Sequence, residues 1–254
     1  MIALKSPGEL AVMRRACRVS AQALHAVVSA VAPGVTTREL DRIAEDRIRA
    51  LGGVPSFLGY RGYPASLCTS VNDEVVHGIP GRRRLQEGEI VSLDLGALVD
   101  GFHGDCAVTV PVGAAPEPAL RLLQVASAAL GEGIRVVRPG ARLGDVGATI
   151  QRYAERHGFS VVRDFAGHGV GRRLHEDPQI PNFGRPGTGV VLQPGMTLAI
   201  EPMVNAGTYE VTTDPDGWTV RTKDGKLSAH FEHTVAVTAE GYEILTGLPE
   251  GISV

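Results

Sequence analysis

Two aspartates, Asp94 and Asp105, stand inside apolar, strand-like segments on either side of Asp100-Gly101. Asp-Gly between two such runs is a two-residue hairpin signal, so residues 90–98 and 103–110 read as paired antiparallel strands. With Val99 facing Phe102 across the turn, Asp94 lies opposite Ala107, and Asp105 sits two residues from Ala107 on the same face. The two carboxylates become diagonal cross-strand neighbours. Aspartate is disfavoured in strands, and an unpaired buried carboxylate is costly, so two on one face require a cation. Three further donors follow in isolated apolar contexts: His168 between glycines, and Glu201 and Glu232 where β-like runs end or are interrupted. Five oxygen and imidazole donors of this kind suit a carboxylate-bridged pair of divalent metals.

The elements that must position these residues come in two sets. Ser6-Pro7-Gly8-Glu9 is a capping box with proline at the first helical position, and Leu10, Met13, Cys17, Leu24, Val28 and Val31 continue at helical spacing. This first helix is expected to reach about Ala32 and stop at Pro33-Gly34. A second box, Thr36-Thr37-Arg38-Glu39, opens a helix that ends at Gly52-Gly53. The grammar then returns: Leu120 to Val137 marks a helix ending at Pro139-Gly140, and Leu143 to Ala154 one ending at Gly158. Pro33-Gly34 maps onto Pro139-Gly140, and Gly52 onto Gly158, at a constant offset of 106. The pattern is an internal duplication, each half giving two helices followed by antiparallel strands. We therefore expect a single α+β domain over residues 1–254, built from halves of about 1–112 and 113–254. Asp94 and Asp105 fall in the first half and the other three donors in the second. A shared site then requires the halves to pack face to face about a pseudo-twofold axis.

Bulk properties narrow the function classes. A chain of 254 residues, 43% hydrophobic, can bury a full core. A net charge of -3 with 5% aromatic residues offers neither the basic field nor the stacking platform of a nucleic-acid or membrane surface. Arg82-Arg83-Arg84 is the one basic run, a solvated loop with room for a transient contact to an anionic partner such as a ribosome. Three cysteines, Cys17, Cys68 and Cys106, are odd in number and lack metal-binding spacing, which fits a reducing cytosol. Neither a signal peptide nor a run of about 18 apolar residues occurs, so a soluble cytoplasmic protein is expected.

Several blocks together are specific: Gly59-Tyr60-Arg61-Gly62-Tyr63-Pro64, Val71-Asn72, His77-Gly78-Ile79-Pro80, Asp100-Gly101-Phe102-His103-Gly104-Asp105, Gly167-His168-Gly169, Glu201-Pro202-Met203 and Phe231-Glu232-His233. On these the sequence resembles the methionine aminopeptidases, in their short bacterial type I form, over essentially its whole length. The resemblance implies the duplicated "pita-bread" (creatinase/aminopeptidase) fold, with antiparallel sheets flanked by helices. It implies Asp94, Asp105, His168, Glu201 and Glu232 as metal ligands, Asp105 and Glu232 bridging, Asp94 completing one site, and His168 with Glu201 completing the other. Glu201 is implied as proton shuttle, and His77 and His175 as contacts to the scissile and following amides. Phe57, Tyr60, Tyr63, Cys68, His77, Leu174 and Trp218 are implied around a methionine side chain, whose unbranched thioether suits an apolar, aromatic wall. Two positions depart from the bacterial pattern: a cysteine often stands where Phe57 is, and an aromatic where Leu174 is. His25 and His157 fall in helices as structural or exposed residues. His103, His230 and His233 adjoin the site with no role assigned.

The expected protein is a metal-dependent hydrolase, an aminopeptidase that removes the initiator methionine from nascent polypeptides and favours a small second residue. By the same resemblance it carries two divalent ions per chain (cobalt, manganese, iron or zinc) and acts as a monomer. An X-Pro aminopeptidase or prolidase of the same fold, and a non-enzymatic binding protein with that fold, are the competing readings.

Overall fold

Helix starts follow the capping chemistry. In the computed structural model, which describes residues 2–247, α1 (Pro7–Ser29) begins at Ser6, whose hydroxyl accepts the Glu9 N–H while the Glu9 carboxylate accepts the Ser6 N–H at 2.9 Å. The same reciprocal box, Thr36 with Glu39, opens α2 (Thr37–Ala50). The expected end of α1 at Ala32 lies three residues too far. The Ala30 and Val31 N–H groups instead close short turns onto Val27 and Val28, because Pro33 keeps Ala32 out of the helical region and Gly34 turns at φ +90°.

Five strands follow: β1 (Val54–Pro55), β2 (Cys68–Val71), β3 (Glu74–Val76), β4 (Ile90–Val99) and β5 (Phe102–Pro111). Then come α3 (Glu117–Arg135) and α4 (Leu143–Arg156). The end of α3 is again earlier than the Val137 expected, for the same reason: Pro139 follows, and Gly140 turns at φ +83°. The remaining strands are β6 (Ser160–Val161), β7 (Ala166–Gly169), β8 (Glu176–Pro181), β9 (Thr197–Ile200), β10 (Met203–Asn205), β11 (Val211–Thr213), β12 (Val220–Thr222), β13 (Ser228–His230), β14 (Glu232–Val237) and β15 (Tyr242–Ile244).

The main sheet has nine strands in the order β1-β4-β5-β14-β9-β7-β8, with β2 also on β4 and β15 also on β14; all its pairings are antiparallel. Two three-stranded sheets, β13-β10-β6 and β11-β12-β3, complete the fold. The duplication is visible bond by bond. Helices α2 and α4 have 14 residues each, their first and last residues offset by 106. Gly34 donates to Leu85 C=O, and its counterpart Gly140 donates to Leu192 C=O; Leu85 returns a bond to Val35 as Leu192 does to Ala141. Apolar side chains of α1 and α2 pack on β2, β4 and β5 around Leu40, Ile48, Leu93 and Leu95, while those of α3 and α4 pack on β9 and β14 around Leu122, Ile134, Ile150 and Leu198. Each half thus has a core of its own, a smaller cluster around Met13, Phe102, Val170 and Ala236 joins the two, and Phe231, between β13 and β14, touches both main cores. Among the described residues no helix is long and apolar enough to cross a membrane.

Candidate metal centre

The hairpin register is the one the turn dictates: Val99 pairs with Phe102, and Asp94 with Ala107. Across the seam between the halves, β14 pairs with β5 through Glu232 with Ala107 and His233 with Cys106. Glu232 therefore enters the face that already carries Asp94 and Asp105. Next on the sheet, β9 ends at Ile200, and Pro202, which cannot donate to a ladder, follows Glu201. His168 lies on β7 beside Ala199 of β9. The glycines flanking it are needed for close strand approach: a Cβ on Gly167 would meet Ala199 O at 2.3 Å, and one on Gly169 would meet Asp177 O at 2.2 Å.

These residues converge. Ligand-type atoms of Asp105, His168 and Glu232 all lie within 4.8 Å of one another. His168 Nε2 is 3.8 Å from Asp105 Oδ2 and 3.5 Å from Glu201 Oε1. His168 Nδ1 stands 2.9 Å from Gly169 O; a carbonyl only accepts, so Nδ1 carries a proton, and Nε2 is the ring nitrogen that faces the carboxylates. Asp94 lines the same cleft.

Four carboxylates in one buried cluster cannot all be ionised without a counter-charge. Burial pushes Asp94 and Glu201 up to about 7. Asp105 is held well above the usual carboxylate range by burial and then by Asp94, and Glu232 by burial and then by Asp105. Asp94 Oδ1, Asp105 Oδ1 and Glu232 Oε1 are buried with no hydrogen-bond partner. Orphaned oxygens, an imidazole Nε2 among them and carboxyls raised by burial and by one another fit hard divalent cations.

The same cleft, about 120 Å³ of open space, is lined by each of the sequence-predicted substrate residues: Phe57, Tyr60, Tyr63, Cys68, His77, Leu174, His175 and Trp218. Phe57, Tyr63, Cys68 and Leu174 form a small apolar cluster against which Tyr60 and Trp218 pack. Cys68 is paired with Asp94 across β2 and β4, and burial followed by that carboxylate raises its thiol well above the ordinary range, so it stays a neutral wall. The Tyr63 hydroxyl shares its one proton between Leu67 O and Gly78 O, at 3.1 and 3.0 Å, presenting its ring rather than its oxygen; Trp218 meets that ring edge-on at 5.0 Å. His77, at φ +62°, packs edge-on against Phe165 and Trp218, and burial lowers its pKa to about 4. His175 lies 4.1 Å from the His168 ring, and its Nδ1 is 2.8 Å from Tyr60 Oη. The surrounding protein, and then His168, bring its pKa down to about 3.

Of the residues that sequence reasoning left without a role, Arg61 and His230 stand closest to this chemistry. Arg61 lines the cleft with its guanidinium 5.4 Å from the Tyr60 ring centre. His230 is buried with Nε2 3.5 Å from Glu201 Oε2. The signal for His230 was its spacing: two residues before Glu232, it shares a face wherever the backbone is extended.

Residues 11–239 match the model of metallopeptidase family M24. A methionine aminopeptidase from Clostridium perfringens is 53% identical over 246 residues, 97% of this chain and 99% of that protein. Methionine aminopeptidase 1 from Bacillus subtilis is 52% identical over the same shares of each. The crystal structure of the Thermotoga maritima methionine aminopeptidase superposes with a TM-score of 0.96 at 48% identity, covering 98% of this chain and 100% of that one. An X-Pro aminopeptidase from the same organism shares the fold alone, with a TM-score of 0.77 at 19% identity over 98% of this chain and 63% of that one. The chain therefore belongs to metallopeptidase family M24 and, within it, to the methionine aminopeptidases of the short bacterial type I form.

Proposed function

We propose that this chain removes the initiator methionine from nascent polypeptides, with two divalent ions per molecule and a preference for a small second residue. The observation that carries the reading is the meeting, in one cleft, of the five-donor cluster with an apolar and aromatic wall. Asp94, Asp105, His168, Glu201 and Glu232 would hold the ions. Divalent ions held there would supply Lewis acidity toward a water and the scissile carbonyl; cobalt, manganese, iron and zinc all suit mixed carboxylate and imidazole donors.

The remaining work belongs to the chain itself. Glu201 takes the proton of the attacking water and passes it to the leaving amine. His175 Nδ1 lies 2.8 Å from Tyr60 Oη; with the Tyr60 O–H as donor the ring proton sits on Nε2, from where His175 donates toward the substrate amide. His77 is neutral at physiological pH and donates an N–H in the same cleft, so negative charge developing on the carbonyl oxygen meets hydrogen-bond donors. Phe57, Tyr60, Tyr63, Cys68, His77, Leu174 and Trp218 surround the methionine side chain. A bulky second residue would crowd the metal cleft.

The catalytic unit is a single domain of two similar halves, about 1–112 and 113–254, acting as a monomer on free N-termini in the cytoplasm. Contact with a ribosome through the arginine run falls to Arg82: Arg83 is bonded to Glu74 and Glu89, and Arg84 to Gly34 O.

The test is cleavage of Met-Ala-Ser, Met-Leu-Ser and Ala-Pro by EDTA-stripped protein before and after manganese or cobalt is added. Metal-dependent release of methionine from Met-Ala-Ser alone is expected. Preference for Ala-Pro would make the chain a prolidase-like enzyme, and silence on all three would make it a binding protein.

A further inference from the structure

The two paired positions of the seam, Glu232 with Ala107 and His233 with Cys106, fix a register that, carried outward, faces Thr234 to Asp105 at one end and Thr109 to His230 at the other. Both threonines clamp the residue opposite. Thr234 Oγ1 donates to Asp105 C=O at 2.8 Å and accepts the Asp105 N–H at 3.2 Å. Thr109 Oγ1 donates to His230 C=O at 2.8 Å and accepts the His230 N–H at 2.8 Å. Its one proton being spent there, Ser92 Oγ is the donor in the 2.8 Å bond between the two hydroxyls.

The two clamps are counterparts under the duplication. In the first half Asp94 pairs with Ala107; in the second, Ile200 pairs with His233, so the next rung faces Glu201 to Glu232. Asp94 thus corresponds to Glu201 and Ala107 to Glu232. Two residues away on either side, Asp105 corresponds to His230, and Thr109 to Thr234. His230 fills in the second half the place that Asp105 fills in the first. Its side chain is 1% exposed, and Nε2 lacks a hydrogen-bond partner while standing 3.5 Å from Glu201 Oε2. His168 Nε2 stands 3.5 Å from the other oxygen, Glu201 Oε1.

We propose that His230 is a positioning residue of the metal centre, an imidazole that holds Glu201 from the side opposite His168 and is itself fixed by the Thr109–Ser92 clamp. The inference rests on the reading of Glu201 as both metal ligand and proton carrier. A carboxylate with those two tasks must keep its oxygens in distinct roles. His230 at Oε2 prevents the rotation that would exchange them.

The test compares His230→Leu, which removes the donor, with His230→Gln, which keeps an amide N–H. Manganese binding to EDTA-stripped protein is measured by calorimetry, ligand geometry by the visible spectrum of the cobalt-loaded form, and kcat and KM on Met-Ala-Ser. For His230→Leu we expect about ten- to a hundredfold weaker manganese binding, an altered cobalt spectrum, and a lower kcat at unchanged KM; His230→Gln should recover most of each. Should His230→Leu fail to fold, Thr109→Val loosens the same residue and should shift the same readouts in the same direction. Wild-type binding, spectrum and kcat in the folded variant overturn the inference, as does a His230→Gln protein as impaired as His230→Leu. A wild-type chain that binds no divalent ion overturns the metal reading and the inference with it.

Discussion

In the first half, the strand carrying Asp94 runs for ten residues and pairs along its whole length with the strand carrying Asp105. In the second half, the corresponding strand breaks at Glu201-Pro202 after four residues, and the chain travels through β10 to β13 before returning at Glu232. The unbroken hairpin supplies rigidity: both aspartates sit on one ladder whose register a two-residue turn fixes. The broken one supplies reach. Its excursion carries Trp218, between β11 and β12, to Tyr63 and His77, and closes the pocket beside the donors. One scaffold used twice therefore gives an unbroken ladder that carries two carboxylates and a broken one that lets the chain return across the cleft.

That contrast can be broken most severely at the seam. Asp105→Asn or Glu232→Gln removes a carboxylate contributed by either half, and each should lower kcat/KM by about three orders of magnitude, the several kcal/mol that metal polarisation supplies. Metal content of the purified variants checks the cause: at least one ion should be lost. On the substrate wall, His175→Ala should leave metal content unchanged and lower kcat by about a hundredfold. Tyr60→Phe, which frees His175 Nδ1, should lower it by about tenfold, as steady-state kinetics on Met-Ala-Ser would show.

A smaller effect separates the loaded from the empty ligand wall. Asp94 and Glu201 are raised from ordinary values of 3.8 and 4.5 to about 7 without a cation. Protons bind them more tightly in the folded than in the unfolded chain, so their stabilising contribution is fully present below those ordinary values and lost as pH rises through about 7. The melting temperature of metal-free protein should accordingly fall between about pH 5 and about pH 8, and Asp94→Asn should flatten that slope. With saturating manganese the trend should reverse, because the ligands bind metal only when deprotonated.

The smallest test concerns the helices behind the two walls. The α2 start is capped by the Thr36 hydroxyl, whereas α4 begins after Arg142, whose side chain accepts nothing and whose N–H alone is taken by Asp145 at 2.8 Å. Thr36→Ala should cost about 1 kcal/mol, and Arg142→Thr should gain up to a similar amount, both read from urea unfolding.

Much of this was legible because it is local. Reciprocal Ser6–Glu9 and Thr36–Glu39 boxes satisfy helix-end donors within four residues, and Asp100-Gly101 sets the pairing of twenty more. Helix ends were read too long at Ala32 and Val137, since apolar periodicity continues past the point where the coming proline already bars the helical conformation. His230 was passed over because its role depends on facing Glu201, a neighbour on no shared ladder and 29 residues away.

By itself the sequence determined the caps, the hairpin register and the repeat, and with them that Asp94 and Asp105 share a face. These are short-range hydrogen-bond and steric constraints, complete within a few residues of chain. Only the tertiary structure decided that Glu232 crosses the seam to join them, that His168 turns its Nε2 toward them, and that His230 stands where Asp105 stands in the other half. Those placements follow from packing the two halves against each other, and burial in that interface is what turns scattered polar residues into a site whose charges require a metal.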